Sequence, residues 1–358
     1  MKKTLLTVVF ATFLISNICA QHKTENVIIV TLDGMRWQEV FKGYDTAIGN
    51  NKTYNKSGED LAKKFDAPTP AESRKKMFPF FWNTLAKEGQ LYGNRTLGNN
   101  VNNANDYWFS YPGYNEIFTG YPDTAVNSND KIYNKNVNVL EFINKQKGFK
   151  GKVAAFATWD VFPYILNEPR SSVYVNADVD TLNFNSPTLR MLNEMQFLTT
   201  RPIGVRPDVI TYFAGKEYLK AYKPRVLYIA FDETDDFAHG GMYDQYLGSA
   251  YAEDAMIADL WATIQSMPEY KNKTTLIVAC DHGRGDKNKD QWRDHGRKVE
   301  DAGQIWISAI GPDTKPLGEV PTKETIYQAQ IATTIAKLLG LEFKPQHPVH
   351  PPIKTIYE

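Results

Sequence analysis

Short stretches of this 358-residue sequence bring aspartate and histidine together. Asp33 stands in Asp33-Gly34, directly after the apolar run Val27 to Leu32. Asp235 and His239 are four residues apart in the acidic run Asp232 to Gly240. Asp281 and His282 adjoin in Cys280-Asp281-His282-Gly283, and His295 follows in Asp294-His295-Gly296. Of the 6 histidines, three lie in these motifs; His22, His347 and His350 lie near the two ends of the chain. Carboxylates and imidazoles without a thiolate suit Zn²⁺, and Mn²⁺ fits the same donor types. Six candidate ligands exceed the three or four that one zinc takes, which points to two divalent ions. Such a pair, about 4 Å apart, clamps the attacking and leaving oxygens of a displacement. The ions' positive charge exceeds that of the three aspartates, so an anionic substrate binds without a basic protein.

The nucleophile candidate is Ser110, in Phe109-Ser110-Tyr111-Pro112-Gly113-Tyr114. Proline and glycine interrupt the chain after it, and Tyr114 to Phe118 is expected to open a helix. Ser110 then lies near a helix N-terminus, where unbonded N–H groups favour an anion. A serine hydroxyl needs a base or a metal to take its proton, and no histidine is close in sequence, so metal activation is expected.

These residues need elements to position them. Five apolar runs read as strands covered on both faces: Val27 to Leu32, Val153 to Ala157, Val226 to Phe231, Thr275 to Ala279 and Ile305 to Ile310. Helical stretches are expected at Phe78 to Lys87, Val137 to Lys147, Pro207 to Ala221, Tyr243 to Met267 and Thr325 to Leu339. The alternation predicts an α/β fold, a mostly parallel central sheet with helices on both faces. Ligands of such sheets bind beyond the carboxyl ends of the strands, where the Asp and His motifs fall. Two polar stretches, near 43–76 and 98–106, are long for simple connections and are expected to be insertions forming a small substrate-side cap.

Taken together the motifs resemble the alkaline phosphatase superfamily, in particular its nucleotide pyrophosphatase/phosphodiesterase branch. That branch carries Thr-Phe-Pro-Asn ahead of Thr-Gly-x-Tyr-Pro; here Ser110-Tyr111-Pro112-Gly113 precedes Thr119-Gly120-Tyr121-Pro122. Its Asp-x-x-x-His, Ser-Asp-His-Gly and final His-Gly match Asp235 to His239, Cys280 to Gly283, and His295-Gly296. The resemblance implies one metal on Asp235, His239 and His295, and another on Asp33, Asp281, His282 and Ser110. It also implies a phosphoric ester hydrolase with a covalent phospho-serine. The sequence departs from the branch at Gly113 and Tyr114. Tyr114 also takes the place of the arginine in the sulfatase motif, which lowers a sulfatase reading.

Plainer readings exist for single motifs. Asp33-Gly34 could be a turn, Asp235 an N-cap and His239 a surface residue; Asp236 could replace Asp235 as ligand, His295 could be a surface residue and Ser110 a helix cap. Asp281-His282 resists such a reading, because polar groups directly after an apolar run need partners. Tyr107, Trp108 and Phe109 are expected to pack their loop, and His347 and His350 to lie on the surface. Monoesterases of the superfamily carry Lys and Arg shortly after the strand matching Val153 to Ala157; here no basic residue occurs before Arg170, so the resemblance implies a phosphodiester rather than a monoester. Trp159 and Phe162 would then face the diester's second group, or pack in the core; Arg170, Arg284 or Arg297 could still reach the phosphate.

Composition sets the outer bounds. With 20 Tyr, 19 Phe and 7 Trp the chain is no disordered segment. A formal net charge of zero gives no basic surface for nucleic acid. Residues 1–20, with Lys2, Lys3 and the apolar run Leu5 to Ile15, read as a signal peptide cleaved after Ala20. Processing as a lipid-anchored Cys19 is disfavoured by Asn17-Ile18. Residues 21–358 are read as one catalytic domain, periplasmic or secreted, with no permanent membrane span. Alternatives on the same centre are a phosphomonoesterase, a sulfatase or a phosphonate hydrolase. An inactive relative that binds anions or glycans is the non-enzymatic alternative.

Overall fold

The apolar runs become strands buried along their whole length. The computed structural model describes residues 23–182, 186–321 and 324–358; the leader expected at 1–20 lies outside these residues. In chain order the strands are β1 (Asn26–Leu32), β2 (Gln90–Tyr92), β3 (Val101–Asn102), β4 (Val153–Ala157), β5 (Tyr174–Ala177), β6 (Val226–Phe231), β7 (Thr274–Ala279), β8 (Gln304–Ile305), β9 (Ile307–Ile310), β10 (Gly318–Glu319) and β11 (Ile326–Tyr327). Eight form one sheet in the order β10-β2-β9-β7-β1-β6-β4-β5, and β11-β3-β8 form a small second sheet.

β1 pairs in parallel with both β6 and β7, and β4 with both β6 and β5. Only β9 opposes its neighbours in the large sheet, running antiparallel to β7 and β2. The register sets Leu32 opposite Phe231 and Thr31 opposite Ala279. Asp33, the Asp232 segment and Cys280-Asp281 therefore leave the sheet side by side, at the edge where such folds bind ligands. Helices Asp208–Tyr222 and Tyr243–Ser266 form close to their expected places; Val139–Asn144 is shorter than expected, and Gln330–Leu338 starts later than Thr325 because Ile326–Tyr327 is strand β11.

Several elements differ from the sequence reading, each for a local reason. Ile305 to Ile310 is not one strand. It breaks at Trp306, whose buried ring meets Phe81 edge-on at 5.4 Å and donates its N–H to the Met35 carbonyl. β8 and β9 thus serve different sheets. The helix expected from Phe78 starts later, because Phe78 precedes Pro79 and is pushed out of helical conformation. A π-helical turn, Phe81–Leu85, follows, with the Phe80 and Phe81 N–H groups donating to the Asp254 carboxylate at 2.8 and 3.1 Å. β2 and β5 escaped the reading: β2 has three residues, and β5 carries Asn176 between apolar neighbours.

The segment at 43–76 is helical rather than a polar loop. It holds the helices Thr46–Gly49, Glu59–Phe65 and Pro70–Met77, and buries Tyr44, Tyr54, Leu61 and Phe65. The stretch at 98–106 contains β3 and buries Asn99, Asn103 and Asn105.

Candidate active site

Ser110 is the first residue of a buried helix, Ser110–Thr119, that begins four residues before the expected Tyr114. Phe109 ahead of it is extended, and Pro112 falls in the first turn, where its missing N–H costs no helical bond. The loop before it is clamped from below. The Glu116 carboxylate accepts from the N–H groups of Ala104 and Asn105, and Asn105 Oδ1 accepts from those of Tyr107 and Trp108. Trp108 adopts φ 53°, rare for a bulky residue, with its indole against Gly303, where a Cβ would lie 2.7 Å away. Tyr107 and Phe109 pack on each other, their rings 6.1 Å apart. Gly113 presses on the loop after β7, where a Cβ would lie 2.5 Å from the Asp281 carbonyl oxygen. That approach carries Ser110 Oγ to 3.5 Å from His282 Nε2.

Around this point Asp33 and Asp281 each have one oxygen bound to protein and one turned to His282, while both oxygens of Asp235 face imidazoles. Asp33 Oδ2 accepts from the Tyr114 hydroxyl at 2.8 Å, while Oδ1 has no hydrogen-bond donor and lies 3.3 Å from His282 Nε2. Asp281 Oδ1 accepts from Gly34 N–H at 3.0 Å, and its Oδ2, also without a donor, lies 3.5 Å from the same nitrogen. Asp235 Oδ1 accepts from Arg284 and also lies 3.6 Å from His282 Nε2 and 3.8 Å from His295 Nε2, and its Oδ2 faces His239 Nε2 at 3.2 Å. His282 Nδ1 is 3.0 Å from the Gly283 carbonyl; donating there leaves Nε2 as a lone pair. His239 Nε2 and His295 Nε2 approach to 2.9 Å.

Burial, and next the neighbouring Asp235, push the Asp33 carboxyl well above its ordinary value; burial and Asp33 do the same to Asp281. Burial pushes Asp235 up as well, but Arg284, then His239 and His295, outweigh it and hold it well below the carboxylate range. Burial and then His282 depress His295 to about 2. Buried oxygens without donors, facing imidazole lone pairs, fit a divalent cation in type and number. Two groups have ligand atoms within 4.8 Å of one another: Asp33, Asp281 and His282, and Asp235, His282 and His295. Asp236, the alternative to Asp235, belongs to neither; nor does His239, expected beside Asp235 and His295, although its Nε2 lies 3.2 Å from Asp235 Oδ2 and 2.9 Å from His295 Nε2.

Other expected residues lie elsewhere. Phe162 is core, its ring 4.7 Å from Tyr114 and 5.5 Å from Tyr228, so it does not face a substrate; Trp159 is half-buried against it. Arg170 is tied to Glu141 and to the carbonyls of residues 134–136, and Arg297 is exposed. His347 stacks on Tyr121, and His350 meets Tyr327. The sequence reading gave no role to Tyr114 or to Asn129, whose Oδ1 accepts from the Tyr111 N–H at 2.9 Å. It treated Arg284 only as a possible phosphate contact. The apolar run ending at Asp281-His282 was the one available signal that residue 284 would be buried.

The family model for type I phosphodiesterase / nucleotide pyrophosphatase matches residues 43–337, most of the chain. The chain belongs to that family. Asp33 lies upstream of the matched span and joins the site through the strand order. No curated protein matches the sequence. Among solved structures, wild-type alkaline phosphatase PafA superposes with a TM-score of 0.61 at 11% identity, covering 96% of this chain and 100% of its own. Inactive murine ectonucleotide pyrophosphatase/phosphodiesterase 5, in complex with AMP, gives 0.54 at 14%, covering 92% and 98%. A 2-O GAG sulfatase gives 0.52 at 11%, covering 93% and 74%. The likenesses establish an alkaline phosphatase-like fold. With the family match they make the chain a hydrolase of the phosphoryl- or sulfuryl-ester type. Among the described residues no helix is long and apolar enough to cross a membrane.

Proposed function

We propose that this family member is an exported phosphodiesterase of a single catalytic domain that works through a covalent phospho-serine at Ser110. The observation that carries the reading is the gathering of three carboxylates and three imidazoles beside the Ser110 hydroxyl. Two divalent ions, zinc by donor type, held by Asp33, Asp281, His282 and Ser110 and by Asp235, His239 and His295, would supply Lewis acidity and offset phosphoryl charge. Ser110 Oγ attacks phosphorus in line; the new P–O bond forms as the bond to the leaving alkoxide breaks. The serine proton is lost and the alkoxide takes one up. Water then cleaves the phospho-serine, restoring the hydroxyl and releasing a monoester.

Preference for a diester rests on the residues after β4. Thr158 turns its hydroxyl inward to Asp208 and Thr211, and Asp160 is paired with Lys131 at 2.5 Å. The extra charge of a monoester finds no uncommitted cation in that stretch. Comparing kcat/KM for p-nitrophenyl phosphate, its bis ester and an aryl sulfate tests the reading. The bis ester should lead. A monoester advantage of about a hundredfold, roughly 2.7 kcal/mol, would overturn the diester preference, and a sulfate lead would reassign the class. A protein that merely binds anions would turn over none of the three.

A further inference from the structure

Arg284 follows the Asp281-His282 pair by two residues and is 1% exposed. Its guanidinium joins the loops that carry three of the candidate ligands. Nε donates to the Gly34 carbonyl at 3.1 Å, beside Asp33, and Nη1 to the Arg293 carbonyl at 2.6 Å, two residues before His295. Nη2 donates to the Asp235 carbonyl at 3.0 Å and to Asp235 Oδ1. Gly34 makes room for this. With φ +58°, a Cβ there would lie 2.6 Å from Asp235 Oδ1 and 2.8 Å from Arg284 Nη2. Buried and bonded on all sides to protein oxygens, the group is not placed to meet substrate.

We infer that Arg284 is a positioning residue that fixes how the Asp235 carboxylate is turned, a role that rests on the two-ion reading of the site. By holding Oδ1, which lies 3.6 Å from His282 Nε2 and 3.8 Å from His295 Nε2, it keeps Oδ2 toward His239, 3.2 Å from its Nε2. The fork thus sets which oxygen meets which imidazole. The planar fork matters as well as the charge. Lysine can supply the charge but cannot reach the Gly34, Asp235 and Arg293 oxygens together.

The test is a Zn²⁺ titration of metal-stripped protein against a chromophoric chelator, for the parent, Arg284→Met and Arg284→Lys, with circular dichroism to confirm folding. The parent should bind two ions. Arg284→Met should weaken one step by about 10–100-fold, the usual effect of losing a partner behind a ligand, and leave the other unchanged. Arg284→Lys should fall between. With Co²⁺ in place of zinc, the visible spectrum of the weakened site should change shape, as the released carboxylate turns. If Arg284→Met does not fold, Arg284→Lys and Arg284→Gln are titrated instead. Parent-like binding in any folded variant, or equal weakening of both steps, overturns the role of Arg284 alone. A parent that binds fewer than two ions defeats the reading of the site, and this role with it.

Discussion

Ser110→Ala should abolish turnover while leaving ion binding nearly intact, because the hydroxyl is one donor among several around His282. Rates and metal content measured on the same preparation check this. A variant keeping more than about a tenth of the parent rate would point to direct attack by water, since loss of a nucleophile usually costs many powers of ten. Asp281→Asn and His239→Ala should instead lower metal content and thermal stability together, as binding energy in such sites is also folding energy. Scanning calorimetry with and without chelator separates the two effects: each variant should lose most of its metal-dependent rise in Tm. At this scale the ligand types were legible in the sequence, because Asp and His directly after buried strands have few plain explanations. Their partners were not. Tyr114 meets Asp33 across 81 residues of chain, and Arg284 meets Asp235 across 49. Nothing local says that a tyrosine or an arginine will turn inward.

The element on which the chemistry depends most is the helix Ser110–Thr119, and its seat is Gly113. A methyl group at this position would meet the Asp281 backbone at 2.5 to 3.0 Å, and backbone cannot swing aside as a long side chain can. Gly113→Ala should therefore push Ser110 away from His282. The expected result is a drop in kcat of about tenfold to a hundredfold, with a stability loss of about 1–3 kcal/mol, typical of overpacking. Unchanged kcat would mean that the helix is not held by this contact. Sequence reading saw only that glycine departs from the asparagine of related motifs. Continuous apolar runs revealed β1, β4, β6 and β7, because both their faces are covered. The break at Trp306 stayed hidden within such a run, since it arises from where one indole N–H finds an acceptor.

Across the whole molecule, the register of β1 against β6 and β7 turns motifs some 200 and 250 residues apart in the chain into one site. That convergence was expected from the fold class; the reversal of β9 was not, since an apolar run does not show its direction, nor was the second sheet, since strands of two residues leave no periodic trace. Stability should also carry a pH signature from outside the site. Burial pushes the Asp254 carboxyl from 3.8 up to about 7, despite the two N–H groups it accepts from. Below the lower value both folded and unfolded chains hold the proton. Between the two values only the folded chain keeps it, so stability falls as pH rises and levels off above the folded value. Asp254→Asn has no proton to lose. Urea unfolding at about pH 4.5 and about pH 8 should show the asparagine variant gaining on the parent as pH rises, by up to roughly 1.4 kcal/mol per pH unit within the window. An equal gap at both pH values would mean that Asp254 is ionised throughout.

His282 Nε2 belongs to both ligand groups. A nitrogen with one lone pair serves one ion at a time. Under the proposed assignment, the ion that takes it beside Asp33 and Asp281 leaves its companion to Asp235, His239 and His295. His239 is the most open of the three imidazoles, its side chain 42% exposed against 13% for His295 and 0% for His282. Filling and emptying should then follow a fixed order, the inner position first in and last out. Where metal is scarce the protein would stand half-filled, folded yet idle, and its rate would track the free metal level of its surroundings more closely than its own abundance.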